Sequence, residues 1–231
     1  MKKILFYTLA VTMFGGLASC KKDNYDAPSS TLTGRLMYQG TPVEVEHNQV
    51  SFDLFEYGFG SLGPIGGTFQ QDGSYSHLLF DGDYKMVIRP EQGPFVINAA
   101  GKVDSISIQL RGNQELNIEV VPYYMIRNAQ ITGNATTANA TFNLDKIISG
   151  TDERAIDRVV FFINKTTFVS ANDQIASTTI QGADLTSMTG ITMSVPIPSI
   201  TPTQNYVFGR VGVKIAGVED WLLSSVVRIQ F

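Results

Sequence analysis

The stretch DGSYSHLLFDGDYKMVI, which runs from Asp72 to Ile88, places turn signals and a strand pattern in close succession. Its last part has Tyr84, Met86 and Ile88 at every second position, the period expected of a half-buried β-strand. Asp-Gly pairs begin and divide the stretch, and both residue types tolerate the backbone angles that tight turns need. The stretch therefore predicts short antiparallel strands joined by tight turns.

The same period of two recurs along the chain, and no amphipathic helix longer than two turns stands out. Alternating apolar sets in the first half are Leu32/Gly34/Leu36, Val50/Phe52/Leu54, Ile106/Ile108/Leu110 and Leu116/Ile118/Val120. Strand candidates in the second half are Ala138–Leu144, Arg158–Lys165, Ile191–Val195, Tyr206–Lys214 and Trp221–Phe231. Pro122 cannot donate to a strand ladder and marks a boundary. We predict an all-β chain of two antiparallel β-sandwich domains in tandem, residues 31–121 and 122–231.

Composition sets limits on size and partners. The chain has 231 residues, of which 43% are hydrophobic, enough for one or two domains with their own cores. It carries 17 basic and 21 acidic residues, a formal net charge of −4. No basic stripe is available to hold a phosphate backbone, so nucleic acid is not expected as a partner.

The N-terminus reads as a secretory signal. Lys2 and Lys3 precede an apolar run, Ile4–Leu17, that ends in small residues. This run is shorter than the roughly 20 residues that cross a hydrocarbon core, so a permanent transmembrane helix is the weaker interpretation. We expect residues 1–19 to be a signal peptide that is removed.

The only cysteine, Cys20, follows directly in the sequence Leu-Ala-Ser-Cys, which resembles the lipobox of bacterial lipoproteins. The resemblance implies that Cys20 carries lipid, and two or more acyl chains anchor a protein stably. Residues 20–30 are polar, charged and contain proline, so they are predicted to be a tether. The charged segment behind Cys20 resembles the surface-export signal of Bacteroidetes lipoproteins, which implies an outer-membrane location facing the cell exterior.

Both halves of the chain resemble known β-sandwich domains. The order TGRLMYQGTPVE, VSFDLFEY and DGSYSHLLFDGDYKMVI is similar to transthyretin-like domains of the carboxypeptidase regulatory type. That resemblance implies an opening hairpin around Gly40, a second hairpin formed by DGSY and GDYKM, and no catalytic role. The C-terminal sequence NYVFGRVGVKIAGVEDWLLSSVVRIQF resembles the last strands of a fibronectin-type-III-like or immunoglobulin-like sandwich.

Taken together, the lipobox, the tether and the segments YDAPSSTLTGRL, FEYGFG and GPF resemble a two-domain family of Bacteroidetes surface lipoproteins of unknown function. Members are typically encoded beside SusC- and SusD-like glycan importers. The resemblance therefore implies an accessory component of a polysaccharide-uptake complex, with a SusC/SusD-like importer as partner.

The sequence offers no constellation for catalysis. The only histidines are His47 and His77, and no G-x-S-x-G motif is present. The acidic pairs Glu44/Glu46 and Asp81/Asp83 could serve glycoside hydrolysis in principle, but the second pair flanks a turn glycine, where Asp caps backbone amides. We expect no enzyme activity and no metal site.

Residues 58–63 satisfy the G-x-G-x-x-G pattern of dinucleotide-binding proteins. Such a site needs a helix to begin at the glycines, and here Pro64 and a further Gly-Gly pair follow instead. We interpret the segment as a glycine-rich loop and expect no cofactor.

Aromatic side chains provide the candidate binding site. Alternation along Val50–Tyr57 puts Phe55 and Tyr57 on the nominally polar face, next to a loop that contains Phe59. A sugar covering one ring would bury about 60–100 Å², or about 1.5–2.5 kcal/mol, whereas millimolar binding needs about 4 kcal/mol. We therefore predict a glycan platform of several rings and polar groups. The alternative is that these rings pack inside or at a domain contact.

Trp221, the only tryptophan, follows a predicted hairpin tip and completes the set of platform candidates, with burial in the last strand as its alternative. These observations favour a non-enzymatic, surface-anchored lipoprotein that binds polysaccharide or oligosaccharide, or supports an uptake complex. A fimbrial or adhesin-type structural lipoprotein is the alternative function.

Overall fold

The N-terminal domain is a sandwich of two β-sheets in a computed structural model that describes residues 26–58, 63–97 and 105–231. The predicted signal peptide and Cys20 lie outside these residues. Within the three ranges, no helix is long and apolar enough to cross a membrane. The strands of this half are β1 Ser30–Tyr38, β2 Thr41–Pro42, β3 Glu44–Val45, β4 Ser51–Tyr57, β5 Pro64–Thr68, β6 Ser74–Leu79, β7 Gly82–Ile88, β8 Phe95–Val96, β9 Ile106–Leu110, β10 Gln114–Glu115, β11 Ile118–Glu119 and β12 Val121–Pro122.

One sheet is antiparallel throughout, in the order β5-β4-β7-β9, and the other is built around β1. The apolar positions of the alternating sets face each other between the two sheets: Phe52 of β4 packs edge-on against Tyr75 of β6, with ring centroids 5.4 Å apart. Leu32, Leu54 and Met86 are fully buried in the same core. The predicted alternation in β1, β4 and β7 is confirmed.

The opening hairpin forms as predicted, because β1 and β2 pair across the turn at Gln39 and Gly40. The second predicted hairpin is wrong. Strand β6 pairs with β1, whereas β7 pairs with β4 and β9, so the turn at residues 80–81 carries the chain from one sheet to the other. Asp81 fixes this crossing by accepting hydrogen bonds from the Ser30 hydroxyl and the Gly112 amide.

The prediction that all these strands are antiparallel is also wrong in one place. The segments β10 and β11 run parallel to β1, with Leu32 opposite Gln114 and Leu36 opposite Ile118. Gly34 makes this approach feasible, because a Cβ at that position would lie only 2.6 Å from the carbonyl carbon of Leu116. Alternation reports which face a side chain occupies, and it carries no information on strand direction.

The C-terminal domain is a second sandwich. A three-stranded sheet, β13-β14-β17, faces a larger sheet in the order β16-β15-β18-β19, with β20 also paired to β18. Gly209 of β18 packs against Ile131 of β13 across this core. The strands are β13 Tyr124–Gly133, β14 Thr137–Lys146, β15 Ile156–Asn164, β16 Ala176–Gln181, β17 Ile191–Pro196, β18 Tyr206–Ile215, β19 Leu222–Leu223 and β20 Val227–Gln230.

The strands β13 and β16 were not predicted. In β13, a register shift between Arg127 and Gln130 interrupts the period of two. Strand β16, with the sequence ASTTIQ, is an edge strand without a buried residue, so it lacks an apolar face that a pattern could reveal. Both were missed because the apolar period, the main sequence signal for a strand, is weak in them.

The two domains share a sheet edge. Strand β3 of the N-terminal domain pairs with β19, with Val45 opposite Leu222, and so becomes the sixth strand of the large C-terminal sheet. Beside this junction, the fully buried guanidinium of Arg210 is 3.1 Å from Glu44 and also donates to the backbone oxygens of Gln71 and Ser224. Burial lowers the pKa of Arg210 to about 10. The boundary is therefore a hydrogen-bonded interface.

Candidate functional site

The outward face of the β5-β4-β7-β9 sheet holds the predicted aromatic platform. Strand β4 pairs with β5 and β7 without a register shift, so the alternation continues to its end. Phe55 is half-buried and lies opposite Lys85, and Tyr57 is 48% exposed. Leu54, the residue before Phe55, is fully buried in the core. The structure thus brings Phe55 and Tyr57 together on one accessible sheet face.

Charged side chains surround the two rings. The ammonium of Lys85 lies 5.5 Å from the centroid of the Tyr57 ring, a cation–π distance. No ion pair engages Lys85 within the described residues, which leaves its three donors to solvent or a ligand. Sequence reasoning missed this residue, because its place beside Tyr57 depends on the register between β4 and β7.

Two ion pairs lie on the rest of this face. Arg89 is 3.8 Å from Asp53, and Arg111 is 2.9 Å from Asp83. Both pairs are solvent-exposed on at least one side, so each contributes little to stability. Arg111 also donates to the backbone oxygens of Gly82 and Leu110. Among the described residues, Arg89 and Asp53 make only their long mutual contact and keep donors and acceptors for a polar ligand, such as a sugar hydroxyl.

Of the other two platform candidates, Phe59 lies outside the described residues, and Trp221 lies in the C-terminal domain. Trp221 is buried, with only 6% of its surface exposed, and packs edge-on against Phe162 at 5.4 Å between ring centroids. The cations of Arg158 and Lys214 lie 5.2 and 5.7 Å from its ring centroid. Trp221 is therefore a packing residue of the C-terminal domain, because its faces are already covered.

The acidic and histidine side chains considered for catalysis take part in hydrogen bonds, an ion pair and ring packing within the fold. Asp81 accepts hydrogen bonds at the sheet crossing, and Asp83 pairs with Arg111. The ring of His47 packs at a tilt against Phe168, with 4.7 Å between ring centroids, and its Nε2 contacts the side-chain amide of Asn48. Among the described residues, no hydrogen bond joins either histidine to a serine or a carboxylate, and no cluster of His, Cys, Asp and Glu could hold a metal ion.

The buried carboxyl of Asp220 is the most perturbed acid in the described part of the chain. Burial raises the pKa of Asp220 to about 6, and the nearby charges of Glu219 and Glu46 act in the same direction. Its Oδ2 has no hydrogen-bond partner among the described residues. The group lies at the domain interface, where its backbone amide donates to Gln92.

Comparison with known proteins places the chain in a family. Residues 30–121 match the N-terminal domain of DUF3823, a protein family of unknown function, and residues 124–228 match its C-terminal domain, DUF3823_C, also of unknown function. The chain belongs to the DUF3823 family. This confirms the predicted membership in a two-domain family of unknown function. No curated protein matches the sequence.

Solved structures share the fold, and DUF3823 members are among them. A member from Parabacteroides merdae is 31% identical, with a TM-score of 0.76 over 89% of this chain and 100% of that one. A member from Bacteroides ovatus is 28% identical, with a TM-score of 0.77 over 87% and 99%. A Bacteroides uniformis protein for which carbohydrate binding has been proposed is 17% identical, with a TM-score of 0.67 over 88% and 100%.

Proposed function

We propose that this DUF3823 protein is a non-enzymatic glycan-binding lipoprotein of the outer membrane. The observation that carries the proposal is the pair Phe55 and Tyr57, two aromatic side chains on the accessible face of a sheet that also presents charged groups such as Lys85. Sugars have flat C–H faces that cover aromatic rings, while their hydroxyls need hydrogen-bond partners. The face provides both requirements.

The energetics require more than the two rings. At about 60–100 Å² each, two rings would contribute about 3–5 kcal/mol from buried apolar surface, before the entropic cost of association. Lys85 lies beside the Tyr57 ring, and Asp53 lies on the same face with its partner Arg89; these charged groups can supply hydrogen bonds to sugar hydroxyls. A weak single site of this kind becomes effective when many anchored copies bind one polymer.

The likeness to the Bacteroides uniformis protein for which carbohydrate binding has been proposed supports the same ligand class. Attachment through lipidated Cys20 and a role beside a SusC/SusD-like importer complete the proposal, and both rest on sequence resemblance. Mass spectrometry of the protein purified from its native membrane tests the anchor. If the measured mass corresponds to an unmodified thiol at Cys20, the proposed lipid anchor is wrong.

Affinity electrophoresis tests glycan binding. Native gels cast with starch, xylan, mannan, β-glucan or pectin should retard the wild-type protein in at least one case. Phe55→Ala and Tyr57→Ala should each reduce that retardation severalfold. Phe168→Ala is the matched control, because Phe168 is also aromatic and 43% exposed but lies in the C-terminal domain. No retardation in any gel, or equal retardation for all variants, would contradict the proposal.

A further inference from the structure

A groove of about 440 Å³ lies along one side of the N-terminal sandwich. It opens between β5 and β6, where each of these strands forms the end of its sheet among the described residues. The turn at residues 70–74 joins the two strands and closes one end of the groove. Residues that line it include Gly66, Gly67, Thr68, Gln70, Ser76 and His77.

The lining of this groove mixes polar side chains with apolar surface from Tyr75 and the two glycines, and the described residues that form it include no acidic side chain, lysine or arginine. Within the described residues, no hydrogen bond engages the side chains of Gln70, Ser76 or His77. Gln70 and Ser76 are exposed, whereas His77 is half-buried and packs edge-on against Phe52. Burial lowers the pKa of His77, which keeps its ring neutral at neutral pH. The groove therefore lacks the fixed charge that an anionic or cationic ligand would require, and it suits a ligand with many hydroxyl groups.

Two glycines give the groove its shape. A Cβ at Gly67 would lie 2.6 Å from Cε2 of Phe52 and would collide with Nε2 of His77, so glycine allows both rings to pack against β5. A Cβ at Gly66 would meet nothing closer than an oxygen of Asp53 at 4.0 Å. Glycine in a strand weakens it and commonly marks a place where another group approaches the backbone. The open side of Gly66 offers such an approach.

The groove adjoins the aromatic face. In the register between β4 and β5, Phe55 lies opposite Pro64 and Asp53 lies opposite Gly66. Gly66 thus belongs to the same sheet face as the two rings and also lines the groove. Neighbouring strands are about 4.8 Å apart, so only the width of β5 separates the groove from Phe55. One extended ligand can contact both.

An added β-strand is the other class of ligand for a free sheet edge. Strand β5 is short and begins with Pro64, which cannot donate a backbone hydrogen bond. Its two adjacent glycines further weaken a strand pairing. These features are typical of edges that avoid pairing with another chain, so they favour a small hydroxyl-rich ligand at this edge.

We propose that the groove between β5 and β6 is a second subsite, which holds the continuation of a neutral oligosaccharide whose first sugars lie on Phe55 and Tyr57. This inference rests on the proposed function, since it extends the same binding face. It predicts that affinity rises with the length of the glycan, because only a longer chain reaches from the rings across β5 to Ser76 and His77.

Calorimetric titration with matched short and long glycans tests the subsite. The probes are disaccharides and hexasaccharides of the xylo, cello, malto, laminari and manno series. Wild-type protein should bind one hexasaccharide about tenfold more tightly than its disaccharide, which corresponds to about 1.4 kcal/mol. Ser76→Gln and Ser76→Trp place a larger side chain in the groove from β6, away from the aromatic face, and should abolish this gain, while the affinity for the disaccharide stays within about twofold.

The outcomes separate the subsite from the platform. Phe55→Ala should weaken binding of both lengths. If hexasaccharide and disaccharide bind wild-type protein equally, or if both groove variants keep the full gain, the subsite is refuted and the platform stands. If no probe binds wild-type protein, both proposals fail. If wild-type protein forms oligomers that Gly66→Gln disrupts, the edge of β5 pairs with a strand of another chain, and the proposed oligosaccharide subsite is refuted. Thermal unfolding of each variant verifies that it is folded.

Discussion

Arg210 of the C-terminal domain and Glu44 of the N-terminal domain form an ion pair of 3.1 Å at the domain junction, and the arginine is completely buried. Removal of one partner of such a pair leaves a buried charge without compensation. Glu44 keeps 17% of its side-chain surface exposed, which moderates the cost. We expect Glu44→Gln to lower the free energy of unfolding by about 2–3 kcal/mol.

Urea denaturation measures this loss, and Asp145→Asn is the matched control. Asp145 pairs with Arg127 at 3.2 Å on the surface, where an ion pair contributes at most about 1 kcal/mol. A Glu44→Gln protein as stable as the control would show that water reaches Arg210 in solution.

Asp220 should make the protein less stable as pH rises. Its pKa is raised to about 6 in the folded state, above the ordinary value of 3.8, so the folded protein binds a proton more tightly than the unfolded chain. The group therefore favours folding at low pH, and this contribution is lost between about pH 4 and pH 6. Partial solvent screening limits the effect to about 1–2 kcal/mol.

Unfolding of wild-type and Asp220→Asn proteins across this pH range tests the linkage. The substitution should add about 1–2 kcal/mol of stability at pH 7.5 relative to wild type, and nearly nothing at pH 4. Asp184→Asn, at an exposed position, is the control and should follow the wild-type curve. A constant difference between Asp220→Asn and wild type at every pH would contradict the assignment.

Adjacent glycines on β5 should respond in opposite ways to the same substitution. Gly67→Ala places a methyl group against Phe52 and His77 and should destabilise the protein by about 1–3 kcal/mol. Gly66→Ala meets open space and should be neutral, or stabilising by up to about 1 kcal/mol, because alanine restricts the unfolded chain. Differential scanning calorimetry measures the melting temperature of both variants. Equal melting temperatures would refute the packing described for β5.

Trp221 should support stability without supporting glycan binding. Trp221→Ala is expected to cost about 3–5 kcal/mol, because it empties a site packed against Phe162. Trp221→Phe keeps most of the volume and should cost less, so it remains folded enough for binding assays. Since Trp221 is the only tryptophan, resistance of wild-type fluorescence to acrylamide reports its burial directly. If folded Trp221→Phe protein were no longer retarded in glycan-containing gels, Trp221 would have to contribute to glycan binding after all.

The faces of strands could be predicted from the sequence, but their partners could not. The period of two placed Phe52 and Leu54 in the core and Phe55 and Tyr57 outside, because alternation is a local property of an extended chain. Partner choice depends on contacts between distant residues. The change of sheet after β6, the parallel β11 and the junction of β3 with β19 have no local signal.

The candidate binding face could be predicted only in part, for the same reason. Its aromatic pair follows from one strand, whereas Lys85 joins it through the register of β4 with β7. The groove needs two sheet edges to meet, and its single hint in the sequence is the Gly-Gly pair of β5. Trp221 lies in the core because β15 and β18 place Phe162, Arg158 and Lys214 around it, an arrangement that no short stretch of sequence encodes.

Because β3 of the N-terminal domain pairs with β19 of the C-terminal sheet, the two halves of this protein cannot be exchanged freely with those of its relatives. In a fragment that starts at residue 122, β19 would be an exposed edge strand with unpaired backbone groups. Such edge strands tend to pair with other chains and cause self-association. A chimaera that exchanges whole halves must therefore carry a β3 fitted to its new β19, together with a carboxylate that meets Arg210. A graft of the aromatic face around Phe55 and Tyr57 would require only the β5-β4-β7-β9 sheet and its loops.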